Sequence, residues 1–140
     1  MIVQDIQIAP VGAQERRALD GWLDQAAQQG IDIDDVSSIG GAYDAYVERM
    51  VDTAPEDRED PTPFCTMVGM AMGEHLVRRT PLEWRVVTDH EGTDLAVATP
   101  AEDAILFPVD PVASAWEVAE VGWMDEWVAN LLAGMQGEAQ

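Results

Sequence analysis

GMAMGEHLVRR, Gly69 to Arg79, is the stretch on which the fold turns. On a helical wheel of about 100° per residue, Phe64, Met67, Val68, Met70, Ala71, Met72, Leu76 and Val77 leave no broad polar face before Arg78 and Arg79. A helix that is apolar all round belongs inside a protein. The spacing therefore predicts a central helix from about Pro63 to Arg79. Gly69 and Gly73 stand one turn apart, which lets a second backbone approach closely. In a membrane such a pair marks a dimerisation face, but this helix is too short and too interrupted to span one. Close packing on a strand or on another helix is the expectation, and larger side chains there overpack the site.

Glu74 and His75 are the polar exceptions in that helix, and buried polar groups need partners. A carboxylate and an imidazole are the raw material of acid–base catalysis. Neighbours on a helix, however, diverge by about 100° and do not form a dyad with each other. GEH is not HExxH, so the zinc-protease reading fails. The alternative is that Glu74 and His75 bond to the backbone, to Trp84 or to Arg85.

Working outward towards the N-terminus, IQIAPVG alternates as a short edge strand or extended arm, over residues 1–11. Leu19, Trp22, Leu23 and Ala26 repeat at helical spacing, which predicts a helix from Ala13 to Gln29 closed by Gly30. IDIDDVSSIGG reads as a turn-rich connector and AYDAYVERMVDT as a second helix. APEDREDPTP, within residues 54–62 and its flank, reads as an acidic, proline-rich, solvated linker.

Towards the C-terminus the period changes from helical to two. LEWRVVTD, DLAVAT and DAILFP form a three-stranded antiparallel meander, with HEGT turning around Gly92. A long C-terminal helix is expected from about Pro111 to Met135, kinked or divided at Gly122, with a frayed tail over 136–140. The order predicts an α+β fold: N-terminal helices, a central glycine-containing helix, the meander, then the long helix, all in a single domain over 1–140.

Charge narrows the function. Seven arginines and no lysine stand against 27 acidic residues, a net charge of −20. Such a surface repels phosphates and anionic lipid, so no nucleic acid and no membrane partner is expected. No apolar run is long enough to cross a bilayer, and MIVQDIQIAP lacks the basic and apolar regions of a secretory signal. Cys65 is the single cysteine, so no internal disulfide forms. A cytoplasmic location is the expectation.

Chemical motifs are sparse. There is no phosphate loop, no GxSxG and no dinucleotide fingerprint. Asp32 and Asp34 open like a calcium loop, but Val36 occupies a ligand position and the later glycine and glutamate are missing. With two histidines and one cysteine, no metal and no cofactor is expected. Val112, Trp116, Ala119, Trp123, Trp127 and Leu131 form a helical stripe, which is either core or a partner face.

GMAMGEHL, LEWRVVTDHEGTDLAV and ILFPVDPVASAWE together resemble a bacterial family, the domain of unknown function numbered 3806, over about residues 64–127. The shared features are a Gly-x-x-x-Gly-Glu helix, a tryptophan strand, a glycine hairpin, and a strand that ends at proline before a helix. The resemblance implies a fold and no activity. Where basic residues are expected early in the helix after that proline, this chain has Val112-Ala113-Ser114-Ala115, so no anion-binding role is carried over.

These observations favour a non-catalytic, acidic protein working through protein contacts, with a homodimer as one form. The alternatives are a binder of a basic protein, of the immunity or nucleic-acid-mimic type, and a small hydrolase-like enzyme using Glu74 and His75. The candidate binding residues are Glu74, His75, Trp84, Trp123 and Trp127.

Overall fold

The structure, a computed structural model, describes residues 6–138. Five helices and one antiparallel sheet make an α+β fold. The strands are β1 Gln7–Pro10, β2 Glu83–Asp89, β3 Gly92–Ala98 and β4 Ile105–Leu106, in that spatial order. The sheet is the expected three-stranded meander with the N-terminal edge strand added as a fourth. The N-terminal segment adds itself along β2, pairing Gln7 with Thr88 and Pro10 with Arg85. Pro10 has no N–H to give a ladder, and an edge strand is where such a residue is tolerated. The third strand of the meander shrinks to Ile105 and Leu106.

Helix α1, Ala13–Gln28, ends in a Schellman motif. Gly30 takes φ 81°, its N–H reaches the Ala27 carbonyl, and Ile31 N–H reaches that of Ala26. Helix α2, Val36–Val51, begins inside the stretch expected to be a connector. Asp35 supplies the reason: its carboxylate accepts the Ser37 N–H at 3.0 Å and caps the first turn. The proline-rich segment stays exposed, but it is not featureless. Pro55–Asp57 form a 3-10 turn, and Arg58 donates to the carbonyls of Thr53 and Val51.

Helix α3, Thr62–Arg79, is the centre of the core, with 11 of its 18 residues buried. The Gly69–Gly73 stripe admits two neighbours. A Cβ at Gly69 would stand 2.8 Å from the Cα of Val109, so the backbone that follows β4 lies directly on the helix. At Gly73 the neighbours are the Trp84 ring of β2 and Pro108. One glycine receives a helix start and the other a strand, which joins the two halves of the sheet side to α3.

The long C-terminal helix is two helices, α4 Val109–Glu117 and α5 Met124–Glu138. The break is a second Schellman motif, built on Ala119 at φ 53° where glycine is usual. Ala119 N–H bonds to the Trp116 carbonyl and Glu120 N–H to that of Ala115. Gly122, at φ 72°, turns the chain again, and its N–H is held by Asp44 at 3.0 Å. Helix α5 continues through Glu138, so residues 136–138 of the expected frayed tail are helical, while 139–140 lie outside the described residues.

Candidate functional site

Glu74 and His75 leave α3 in different directions, as their spacing requires. Glu74 faces the sheet. Its Oε1 accepts the indole N–H of Trp84 at 2.9 Å, and its Oε2 accepts Arg78 Nε at 3.0 Å. Arg78 in turn gives Nη1 to Asp34 at 3.1 Å. A polar chain thus runs from β2 through α3 to the α1–α2 connector. The hydrogen bonds to Asp34 and then Glu74 push the Arg78 guanidinium above its ordinary pKa. Arg85, the other strand partner expected for Glu74, pairs instead with Glu83 and Glu102.

His75 faces the connector between α1 and α2. Its Nδ1 lies 2.7 Å from the Ile33 carbonyl, which accepts and therefore fixes the proton on Nδ1. Arg79 Nε sits 3.5 Å from the same nitrogen, but an N–H cannot also accept there, so this is a contact and not a hydrogen bond. The Arg79 guanidinium donates to the Asp34 carbonyl. His75 Nε2 has no hydrogen-bond partner among the described residues, yet it is not sealed from water. His75 is only 3% exposed, and it lines a groove of about 350 Å³ between the start of α2, the end of α3 and the start of α5.

That groove has a polar rim and an apolar floor. Asp34, Asp35, Asp125 and Arg79 line the rim, and Val36, Val128 and Leu132 lie beneath. Ser37 ties two walls together by donating its hydroxyl to Asp125 at 3.0 Å. Sequence reasoning singled out His75 but not Asp35, Asp125 or Arg79 as its companions. The N-cap pattern before α2 was a usable signal for Asp35, whereas nothing local announces that Asp125 comes to the same place.

Four of the five tryptophans, all but Trp22 of α1, divide between two places. Trp84 is buried against Gly73 and Glu74. Trp123 meets Tyr43 edge-on at 5.8 Å and Trp127 edge-on at 6.3 Å. Trp116 tilts over Tyr46, which stacks on Phe64 at 3.8 Å. Trp123 and Trp127 are half-buried on the core, away from the Glu74–Trp84 contact. Within this cluster the Tyr43 hydroxyl and the Trp123 indole N–H are both buried; they lie near each other but short of hydrogen-bond geometry. Burial, with Cys65 close by, pushes the Tyr43 hydroxyl up to about 12.

Nucleophilic chemistry finds little here. Burial raises the Cys65 thiol, which opposes formation of the thiolate. Among the described residues no group of three or more His, Cys, Asp or Glu is placed to hold a metal ion, and no helix is long and apolar enough to cross a membrane.

A family model described as the domain of unknown function DUF3806 matches residues 45–127, more than half of the chain. Among curated proteins and among solved structures, nothing matches.

Proposed function

The chain belongs to the family of the domain of unknown function DUF3806, and from that starting point we propose that it is a non-catalytic, acidic bacterial protein of the cytoplasm that acts through protein contacts. The observation that carries this reading is Glu74. The one buried carboxylate in the central helix accepts from Trp84 at one oxygen and from Arg78 at the other, contacts that favour a structural role. Its role is to anchor the sheet to α3. Glu74 and His75 also face different elements, which counts against their acting as one acid–base pair.

The second reading, a binder of a basic protein, is favoured by the charge of −20 and by Asp35 and Asp125, which have no cationic partner among the described residues. Such a surface steers a basic partner and loses its grip as salt rises. Self-association draws on a separate feature, the exposed Val118 and Val121 between α4 and α5.

The test is affinity capture from native lysate at low and high salt, with light scattering of the pure protein in parallel. A stoichiometric partner retained at low salt and released at high salt is expected. Absence of any retained protein at either salt, together with a monomer at high concentration, removes the reading.

A further inference from the structure

On the basis of the protein-contact reading above, we infer that a second copy of this chain docks on the groove between the end of α2 and the end of α4. The groove holds about 370 Å³. Val47, Met50 and Val51 of α2 and Trp116 of α4 line it, and Arg58 and Glu117 are its charged members. Val118 follows Glu117 directly, and Val121 lies two residues beyond Ala119, which also lines the groove. Val51, Val118 and Val121 are 55%, 73% and 45% exposed, and with Ile6 they are the large apolar side chains left exposed among the described residues. Three of those four thus gather around one groove, as in a contact surface and unlike apolar residues scattered singly.

Charge says what covers it. Arg58 stands among Glu56, Asp57, Glu59 and Asp60, yet it forms no ion pair among the described residues. Its Nε and Nη2 donate to the carbonyls of Thr53 and Val51, which holds the guanidinium beside the groove and leaves Nη1 for another acceptor. Glu117 ends α4, where the helix dipole disfavours an anion, and the last turn holds no basic residue to offset it. Glu117 likewise forms no ion pair among the described residues. One groove therefore carries a cation and an anion that do not meet within the chain. In an isologous pair the same patch meets itself. Arg58 of each copy then takes Glu117 of the other, and Val118 of each copy fills the groove of the other. Both ion pairs and both apolar contacts come from residues already on this face.

Two copies at −20 repel each other at long range. The contact should therefore tighten when salt rises from about 10 mM to about 100 mM, as the Debye length falls from about 30 Å to about 10 Å. Capture of a basic protein by the acidic surface has the opposite salt dependence.

Sedimentation velocity of the full chain, over a concentration series at both salts, tests this. A monomer–dimer equilibrium that tightens with salt is expected. Val118→Asp, at a well exposed position, should weaken the dimer by about tenfold or more while circular dichroism stays that of the parent. Arg58→Glu and Glu117→Arg should each be monomeric alone, because like charges then meet at both contacts. Mixed together, the two variants should form a dimer of parent-like affinity, because opposite charges meet again at both. A parent that is monomeric throughout, a dimer indifferent to Val118→Asp, or folded charge variants that stay apart when mixed overturns the inference. A monomeric parent that still retains a lysate protein overturns the second copy and leaves the protein-contact reading standing; loss of that protein with Val118→Asp assigns the groove to a foreign partner. A dimer with the expected sensitivities and no lysate partner upholds the inference and limits the reading to self-association. A monomer that retains nothing removes both.

Discussion

Trp84 sits on Gly73 so closely that a Cβ there would stand 2.5 Å from the ring's Cη2, while the same indole donates to Glu74 one residue on. Van der Waals contact and hydrogen bond are therefore one seat. An alanine at Gly73 gains about 1 kcal/mol of helix propensity and loses against the clash. Gly73→Ala should destabilise by about 1–3 kcal/mol in denaturant unfolding. Gly69→Ala should cost more, because its Cβ meets the backbone of Val109, which cannot rotate aside. A gain in stability from either substitution would show that α3 does not hold the sheet this way.

Removing the indole donor leaves one oxygen of a buried carboxylate without its partner, while Arg78 still holds the other. Trp84→Phe keeps most of the ring but leaves Glu74 Oε1 without its partner. The expected loss is about 1.5–3 kcal/mol, the scale of a hydrogen bond to a charged group. In a double-mutant cycle with Glu74→Gln, the coupling should be a substantial part of that loss. Strict additivity would mean that the two side chains do not support each other.

The two buried tyrosines should behave differently when their hydroxyls are removed. Tyr46 donates to Glu59 at 3.2 Å, so Tyr46→Phe should lose about 0.5–1.5 kcal/mol. Tyr43 meets only the Trp123 indole N–H, short of hydrogen-bond geometry, so Tyr43→Phe should be near neutral. Thermal unfolding of both variants beside the parent decides it, and a large loss at Tyr43 would contradict the geometry.

Alkaline pH should act through the same pair. Burial raises both hydroxyls to about 12 from 10, with Cys65 adding at Tyr43 and Glu59 at Tyr46. The folded state thus holds its protons to higher pH than the unfolded chain. Stability is full below pH 10 and falls as pH rises through 12. Each tyrosine contributes on the order of 2 kcal/mol to that fall. Tyr43→Phe should flatten the profile over this window, and an unchanged slope would show that Tyr43 does not titrate this way.

Ala119 pays the steric cost of a left-handed position with no compensating contact, which makes it a site for improvement. Ala119→Gly should keep both hydrogen bonds of the motif and raise stability by about 1 kcal/mol. Destabilisation on that substitution would place the end of α4 elsewhere.

The central helix was legible because burial on every side leaves a compositional trace, and the glycine pair announced a close approach. The division between α4 and α5 is legible at Gly122, but the earlier left-handed residue, Ala119, is not, because alanine favours helix locally. The Asp44 contact, the packing of Met124 on Gly40 and the Ser37–Asp125 bond, all long-range, hold α5 in its own direction. The start of α2 hid behind Ser37 and Ser38, which read as turn residues until Asp35 is recognised as their cap. Glu74 and His75 are expected to bond to the backbone, to Trp84 or to Arg85, and Trp84 takes Glu74 while a main-chain carbonyl takes His75. That the carbonyl is the one of Ile33, 42 positions earlier, carries no sequence signal.

The pairing of Gln7–Pro10 with Arg85–Thr88 sets an order on synthesis. As the chain emerges from the ribosome, its first described strand has no partner until β2 follows some 75 positions later. Helices α1, α2 and α3 are synthesised in that interval, and in the fold α1 packs on α3. Once β2 is made, β1 is already there to cover its edge, and until it docks Glu83, Arg85 and Asp89 along β2 are the charges that discourage a neighbouring chain from taking that place.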